Sequence, residues 1–304
     1  MPFPTQGGPE MYTKGFLPVI LCITIYVLTS CASTKKYRDN PVNADSINCD
    51  RENSCTNIRT GKYFINVDGT IREFILTLPE NYDNSRTYPL IFVWHGLGGS
   101  AIGVASGSRF RGEPYFGLFK ASENQAIFIA GQGLSSVIRA WSGWDNKNGR
   151  DVAFVRKLMN WAELNMSIDE SRIFSTGMSY GGMFSNLLAC RLGNKIRAIA
   201  SMSGSFQIYG VQYPYNQCKG EKVAAWFAHG TDDRYVVYKD GEAARDYFTS
   251  VNGCSSSFTK ATPAGCIMYN GCDTGYPVVW CRHKGGHYIP KYAGEEIWNF
   301  FNRF

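Results

Sequence analysis

A serine between two glycines, where a strand-like segment gives way to a helix-like one, constrains the fold of this chain more than any other feature. Residues 172–178 read Arg-Ile-Phe-Ser-Thr-Gly-Met, a β-branched and aromatic run typical of a short buried strand. Ser179 follows, and from Tyr180 onward the apolar residues recur at helical spacing. The G-x-S-x-G pattern from Gly177 to Gly181 predicts a sharp strand-to-helix turn that exposes the serine hydroxyl. Ser179 is therefore a candidate nucleophile.

Three histidines follow Ser179 and are candidates for the base that would activate it: His229, His283 and His287. His287 lies in Gly-Gly-His-Tyr-Ile-Pro, after an apolar strand-like run, and these glycines and the proline predict a helix-free corner from which imidazole can reach the serine. We expect His287 to be the base. His283 is the alternative, although its position indicates a strand-end residue that faces solvent or packs on a neighbour. His229 is interpreted as a structural residue that holds its own tight turn.

The acid is expected in the loop that begins after the apolar run 223–228. This loop reads His-Gly-Thr-Asp-Asp and offers Asp232 and Asp233 just past a strand, where loops collect at the carboxyl edge of a parallel sheet. The spacing favours Asp233, because the hydrophobic Val236 follows three residues later; Asp232 is the alternative. The carboxylate would hold the imidazole tautomer and stabilise the imidazolium formed when Ser179 gives up its proton.

An oxyanion site is expected where another apolar strand-like run ends at residue 94. His-Gly-Leu-Gly-Gly follows, and its glycines let the chain turn back so that a backbone amide faces the serine. We expect the backbone N–H groups of Leu97 and Tyr180 to bind the oxyanion. Each donor of this kind lowers the barrier by roughly 3–4 kcal/mol.

Apolar runs that read as strands alternate with helix-like stretches along the chain, which predicts an α/β fold with a mostly parallel sheet and helices on both faces. The predicted strands are 90–94, 126–130, 172–176, 196–202, 223–228 and 277–281, and the clearest helices are 151–164 and 293–301. We expect residues 57–304 to form a single catalytic domain.

The N-terminal residues differ in character from this domain. Lys14 precedes an apolar run, 16–28, that is too short to span a bilayer comfortably, and small residues follow it. We expect residues 1–32 to be a secretory signal peptide and 33–56 a polar linker, so that the protein is secreted. Leu-Thr-Ser-Cys31 also matches a bacterial lipobox, which would anchor the protein at the cell surface through a lipid on Cys31. A signal anchor is a third alternative.

Eight cysteines lie beyond the predicted signal peptide, an even number that favours disulfides in an oxidising compartment. They are Cys49, Cys55, Cys190, Cys218, Cys254, Cys266, Cys272 and Cys281. We expect a short Cys266–Cys272 link and a Cys254–Cys281 link, although eight cysteines allow about 105 pairings.

No cofactor, metal or nucleic-acid partner is expected. The glycines between His283 and His287 disfavour the helix that would place both imidazoles on one face for zinc. The net charge of +6 is modest and scattered along the chain.

Over roughly residues 60 to 304 the chain resembles secreted feruloyl esterases of the carbohydrate-esterase type, which are related to acetylxylan esterases and polyhydroxybutyrate-depolymerase-like proteins. The resemblance is carried by Trp94-His-Gly-Leu-Gly-Gly-Ser, Asp151-Val-Ala-Phe-Val, the segment 168–183, His229-Gly-Thr-Asp-Asp and the cysteine spacing from Cys266 to Cys281 closed by Gly-Gly-His287. Relatives often carry cysteine at the position of Leu97, a change to which a backbone donor is indifferent. The resemblance implies the α/β-hydrolase fold and release of ferulate or related hydroxycinnamates from plant cell-wall polysaccharide.

Aromatic residues near the candidate triad are candidates for substrate binding. Trp141 and Trp144 follow the second predicted strand, and Tyr288 adjoins His287. These rings could stack on a feruloyl group or a sugar, or simply pack in the core. An acetylxylan esterase and a polyhydroxyalkanoate depolymerase are the alternative activities. A catalytically silent polysaccharide-binding protein is the non-enzyme alternative, which loss of a triad member would favour.

Overall fold

A computed structural model describes residues 57–107, 112–136, 141–208, 211–212, 218 and 220–304. The predicted signal peptide and linker, with Cys31, Cys49 and Cys55, lie outside the described residues. The strands are β1 (Gly61–Val67), β2 (Thr70–Thr77), β3 (Tyr88–Trp94), β4 (Ile127–Gly131), β5 (Leu134–Ser135), β6 (Ser142–Gly143), β7 (Ile168–Met178), β8 (Ala198–Met202), β9 (Gln207–Ile208), β10 (Val211–Gln212), β11 (Ala224–Gly230), β12 (Phe258–Ala261), β13 (Cys266–Tyr269) and β14 (Val278–His283).

The helices differ widely in length. They are α1 (Ala101–Ala105), α2 (Leu118–Ala121), α3 (Arg150–Asn165), α4 (Tyr180–Leu192), α5 (Tyr238–Val251) and α6 (Ala293–Phe301), with 3₁₀ turns at Pro114–Gly117 and Lys147–Gly149. The two clearest predicted helices correspond to α3 and α6. Within the described ranges, no helix is both long and apolar enough to cross a membrane.

Ten of the described strands form one sheet in the order β1-β2-β4-β3-β7-β8-β11-β14-β13-β12. Its six central strands, from β4 to β14, are parallel to one another. Antiparallel strands complete both edges, β2 with β1 on one side and β13 with β12 on the other. The six parallel strands are the six that the sequence predicts, so the prediction of a mostly parallel α/β-hydrolase sheet is confirmed.

The apolar core lies on both faces of this sheet. Residues of α3, α4 and α5 pack with one face, and residues of α1, α2 and α6 pack with the other. Strands β3 and β11 are buried along their whole length, because each is covered on both faces. The carboxyl ends of the parallel strands meet at one edge, which places the loops after β3, β7, β11 and β14 side by side.

Three disulfides lie among the described residues: Cys190–Cys218, Cys254–Cys272 and Cys266–Cys281. The predicted Cys266–Cys272 and Cys254–Cys281 pairs are wrong. Strand pairing decides the outcome, because Cys266 of β13 stands directly opposite Cys281 of β14 in the ladder. Cys254 follows α5 and is brought to Cys272 by the bond from the N–H of Ser255 to the carbonyl of Asn270 (2.8 Å).

Candidate active site

Ser179 lies at the turn between β7 and α4. Its φ of 58° and ψ of −121° fall in a region that residues with a side chain rarely adopt. The turn is held at both sides: the N–H of Ser179 donates to the carbonyl of Met202 (2.8 Å), and its carbonyl accepts from the N–H of Met183 (2.9 Å). A residue strained in this way costs about 1–3 kcal/mol, and such residues cluster at functional sites. The surrounding backbone therefore fixes the position of the Ser179 hydroxyl.

The two flanking glycines allow three elements to meet behind this serine. A Cβ at Gly177 would lie 2.4 Å from the carbonyl carbon of Gly181. A Cβ at Gly181 would lie 2.1 Å from the carbonyl oxygen of Trp94 at the end of β3. Both contacts are with backbone atoms, so no side-chain rotation can relieve them. The turn therefore requires glycine at both positions.

The acid and base candidates are hydrogen-bonded to each other. Nδ1 of His287 donates to Oδ2 of Asp233 (2.7 Å), and the Asp233 side chain is buried. The loops that carry them are joined by a bond from the N–H of Asp232 to the carbonyl of Gly285 (2.9 Å). Ser179 and His287 line the same cavity. With the proton on Nδ1, Nε2 of His287 is the nitrogen that can accept a proton.

Asp233 is held as a carboxylate by its surroundings. Its Oδ1 accepts hydrogen bonds from the N–H groups of Tyr235 (2.9 Å) and Val236 (3.0 Å). Burial raises the pKa of Asp233, but the hydrogen bonds from His287 and these two amides outweigh burial and bring the pKa below its ordinary value. Asp232, the alternative acid, is exposed on the same loop. Asp233 is the residue of this pair that binds His287.

His229 supports the acid loop, in line with the structural interpretation. The ring is buried, and Nε2 donates to the carbonyl of Val236 (2.9 Å). Nε2 also lies 3.6 Å from Oδ2 of Asp233. Helix α5 packs directly against the ring, since a Cβ at Gly241 would lie 2.1 Å from its Nδ1. Burial lowers the pKa of His229, so the ring is neutral near pH 7.

His283, the alternative base, packs beside the site. Its ring lies 4.6 Å, centroid to centroid, from the ring of Tyr288, and it is not among the described residues that line the cavity of Ser179. Burial lowers the pKa of His283. Among the described residues, no group of three or more His, Cys, Asp or Glu side chains is arranged to hold a metal ion.

The loop after β3 is oriented by the buried His95. The N–H of Gly133 donates to Nε2 of His95 (3.0 Å), so the ring proton is on Nδ1, which donates to the carbonyl of Gly96 (2.7 Å). In a trans peptide the N–H points opposite to the C=O, so the N–H of Leu97 points away from His95. A Cβ at Gly96 would lie 3.5 Å from Cβ of Ser179, so this peptide runs beside the serine.

Tyr180, the residue after the serine, is anchored by its side chain. The ring is buried, and its hydroxyl donates to Oδ1 of Asp145. The hydroxyl of Ser136 donates to the same oxygen (2.6 Å). Tyr180 is the first residue of α4, so this anchor fixes the helix end from which its backbone N–H projects.

A cavity of about 1150 Å³ opens at Ser179 and His287. Three partly exposed aromatic residues line it: Trp141 (49% exposed), Tyr235 (71%) and Tyr288 (45%). Both Trp141 and Tyr288, two of the predicted substrate-binding residues, therefore lie beside the candidate triad.

Trp144 is the exception, and its predicted role in substrate binding is corrected. The side chain is fully buried and does not line the cavity. Its indole N–H donates to the carbonyl of His95 (2.9 Å), and its ring stacks on Phe184 at 4.7 Å. Trp144 therefore supports the loop after β3 from within the core.

His95 and Phe116 are residues of the site that the sequence interpretation does not include. His95 belongs to the His-Gly-Leu-Gly-Gly motif, which was a usable signal for a loop-orienting residue. Phe116 lines the cavity from the 3₁₀ turn Pro114–Gly117. This turn has neither helical nor strand periodicity, so no pattern in the sequence points to it.

The acetyl xylan esterase from Aspergillus awamori superimposes with a TM-score of 0.63 at 16% sequence identity, covering 80% of this chain and 99% of that one. At this identity the likeness shows the fold alone. A family model described as Phospholipase/Carboxylesterase matches residues 152–266, a segment that contains Ser179 and Asp233.

Curated proteins with similar sequences share more identity with this chain than the acetyl xylan esterase structure does. Feruloyl esterase D of Neurospora crassa is 34% identical over 258 residues, which cover 79% of this chain and 84% of that protein. Feruloyl esterase C of Emericella nidulans is 31% identical over 243 residues, which cover 76% of this chain and 83% of that protein. With this identity over most of each chain, the protein belongs to the feruloyl esterase family of α/β-hydrolases, which are carboxylic ester hydrolases.

Proposed function

We propose that this carboxylic ester hydrolase releases ferulate or related hydroxycinnamates from plant cell-wall polysaccharide through an acyl-serine intermediate. The observation that carries the proposal is the arrangement of the candidate triad. Ser179 stands on a strained turn at the cavity, and His287, which lines the same cavity, is bound through Nδ1 to Asp233. Residues in these positions suit nucleophile, base and orienting acid.

The chemistry follows from these assignments. Oγ of Ser179 attacks the ester carbonyl while Nε2 of His287 takes its proton, and Asp233 stabilises the resulting imidazolium. The N–H groups of Leu97 and Tyr180 bind the oxyanion of the tetrahedral intermediate. Its collapse breaks the bond to the sugar oxygen, which receives the proton from His287. Water then attacks the acyl-serine, again with His287 as base, and the free acid leaves with Ser179 restored.

The size and walls of the cavity support an aromatic acyl group. About 1150 Å³ is ample for a hydroxycinnamoyl group with part of a sugar, since ligand pockets usually measure about 300–1000 Å³. Trp141 and Tyr288 offer rings on which a flat acyl group or a sugar can stack. An acetyl group would leave most of the cavity volume empty. Among the remaining alternatives, acetylxylan esterase activity is the one that an assay must distinguish from hydroxycinnamate release.

We further propose that the protein acts outside the cell, on feruloylated polysaccharide or oligosaccharide. The three disulfides support an oxidising compartment. The expected signal peptide is the second support. Attachment through a lipid on Cys31 remains the alternative to release, and mass spectrometry of the mature N-terminus distinguishes the two.

A substrate panel tests the proposal. Purified mature protein is assayed with methyl ferulate, methyl p-coumarate and methyl acetate, which share one leaving group, and for ferulate release from feruloylated arabinoxylan, beside Ser179→Ala. The expected result is the highest kcat/KM for a hydroxycinnamate and no measurable turnover in Ser179→Ala. A higher kcat/KM for the acetyl ester would replace the proposal with acetylxylan esterase activity. Binding of arabinoxylan without turnover of any ester would favour the silent binding protein.

A further inference from the structure

We propose that Phe116, held in place by a left-handed turn, forms the wall against which the acyl group packs and so determines acyl selectivity. The inference rests on the proposed function, since it specifies how the hydroxycinnamoyl group is bound. It concerns a residue outside the catalytic motifs. The supporting observations are its backbone conformation, the anchors of the turn and the exposure of the cavity walls.

The backbone of this turn is unusual for the residues it contains. Tyr115 has φ of 52°, Phe116 of 61° and Gly117 of 89°, so two bulky aromatic residues and a glycine adopt the left-handed region in succession. Bulky residues with positive φ are genuine outliers, because the side chain crowds its own backbone. Such strain persists only where the surrounding structure imposes it, and it clusters at ligand-binding sites.

Contacts with rigid elements impose this conformation. The buried hydroxyl of Tyr115 is hydrogen-bonded to Oγ1 of Thr77 in β2 (2.6 Å), and its ring packs 4.7 Å from the ring of Phe128 in β4. On the other side, a Cβ at Gly294 of α6 would lie 2.5 Å from the carbonyl carbon of Gly117. The sheet and α6 therefore hold both neighbours of Phe116 in place, and with them the direction in which its side chain leaves the backbone.

The cavity has two kinds of wall. Val104 and Phe116 are buried in the hydrophobic cluster on the α1, α2 and α6 face, and the partly buried Met178 and Ile289 pack against that cluster. These four cavity-lining residues are called the buried wall. Phe116 is only 8% exposed. The aromatic residues Trp141, Tyr235 and Tyr288 form an exposed wall.

The two halves of the substrate, the sugar and the acyl group, differ in polarity as the two walls differ in exposure to solvent. The sugar that carries the ester is attached to a long, heavily hydrated polysaccharide, so it must lie where the cavity is open to solvent. The hydroxycinnamoyl group is short, flat and mostly apolar, and it gains from burial against apolar side chains. The buried wall therefore receives the acyl group and the exposed wall receives the sugar.

Two variants of Phe116 test the inference. Phe116→Ala removes the ring, and Phe116→Gly removes it while relieving the backbone strain, so at least one variant should fold. Phe64→Ala is the matched control, because Phe64 is an exposed ring on β1 outside the cavity lining. Melting temperatures establish that each variant is folded.

Both Phe116 variants should lower kcat/KM for methyl ferulate at least tenfold and leave that for methyl acetate within about threefold, whereas Phe64→Ala should change neither. Trp141→Ala should instead lower kcat/KM for a feruloylated arabino-oligosaccharide relative to methyl ferulate. Equal losses on both small esters, or none, in a folded Phe116 variant would overturn the inference while leaving the proposed function standing. Preference of the wild type for the acetyl ester would overturn the proposed function and this inference with it.

Discussion

Replacing Asp233 with asparagine should abolish most activity while leaving the fold nearly unchanged. The two carboxylate oxygens have separate partners: Oδ1 accepts from the N–H groups of Tyr235 and Val236, and Oδ2 accepts from Nδ1 of His287. In Asp233→Asn the amide oxygen must remain on the two backbone donors. The amide NH₂ then faces Nδ1 of His287, which becomes an acceptor, and the ring proton moves to Nε2.

A histidine protonated on Nε2 cannot accept the proton of Ser179. Loss of the correct tautomer lowers kcat by about 10⁴ in a serine hydrolase, which corresponds to about 5.5 kcal/mol in the barrier. The free energy of unfolding should fall much less, since both backbone amides keep an acceptor. Asp233→Ala leaves them without one and should therefore also destabilise the fold by about 2 kcal/mol or more.

The assay compares kcat on methyl ferulate with the free energy of unfolding in urea for the two variants and for Asp232→Asn. The exposed Asp232 is the matched control, and its variant should stay within about threefold of wild-type kcat. Asp233→Asn with more than about a tenth of wild-type kcat would refute the tautomer argument. Equal destabilisation by asparagine and alanine would show that the amide oxygen does not replace Oδ1.

Changes to the two histidines of the base loop should separate their roles, since His287→Ala should lower kcat by several orders of magnitude and His283→Ala by less than about fivefold. The reverse ranking on methyl ferulate would make His283 the base. Replacing Cys190 and Cys218 with alanine should lower the free energy of unfolding by about 3–4 kcal/mol, because the bond closes a segment of 28 residues; a loss below about 1 kcal/mol in urea denaturation would contradict this. The free energy of unfolding should fall as the pH drops below about 6.5, the ordinary pKa of histidine. Burial holds the pKa of His229 and of His283 below that value, so in this range the unfolded chain binds protons that the folded protein does not. Melting temperatures between about pH 8 and 5 check this, and a flat profile would count against it.

The centre of the sheet could be predicted from the sequence, whereas its edges could not. Strands such as β3 and β11 are covered on both faces and appear as continuous apolar runs. The edge strand β1 instead alternates buried Tyr63, Ile65 and Val67 with more exposed residues, and β12 is exposed along most of its length. The period-two pattern of β1 was a readable signal, but β12 offers none.

The residues of the site likewise divide into those that the sequence predicts and those that it does not. Site residues that lie in local turns, Ser179 above all, could be predicted from the sequence, because the glycines around them indicate the turn. Trp141 and Trp144 are three residues apart in one loop, yet one lines the cavity and the other stacks on Phe184. Which of the two lines the cavity depends on packing against α4, a contact between distant segments. The disulfide pairing was misjudged for the same reason, since strand register decides it.

The most direct test of the assignment of Ser179 as nucleophile is a reaction with a fluorophosphonate probe followed by peptide mass spectrometry. The wild type should carry one adduct, on the peptide that contains Ser179, and methyl ferulate should slow its formation by competing for the cavity. His287→Ala should label far more slowly, because its serine has lost the base. An adduct on another residue, or undiminished labelling of Ser179→Ala, would contradict the account.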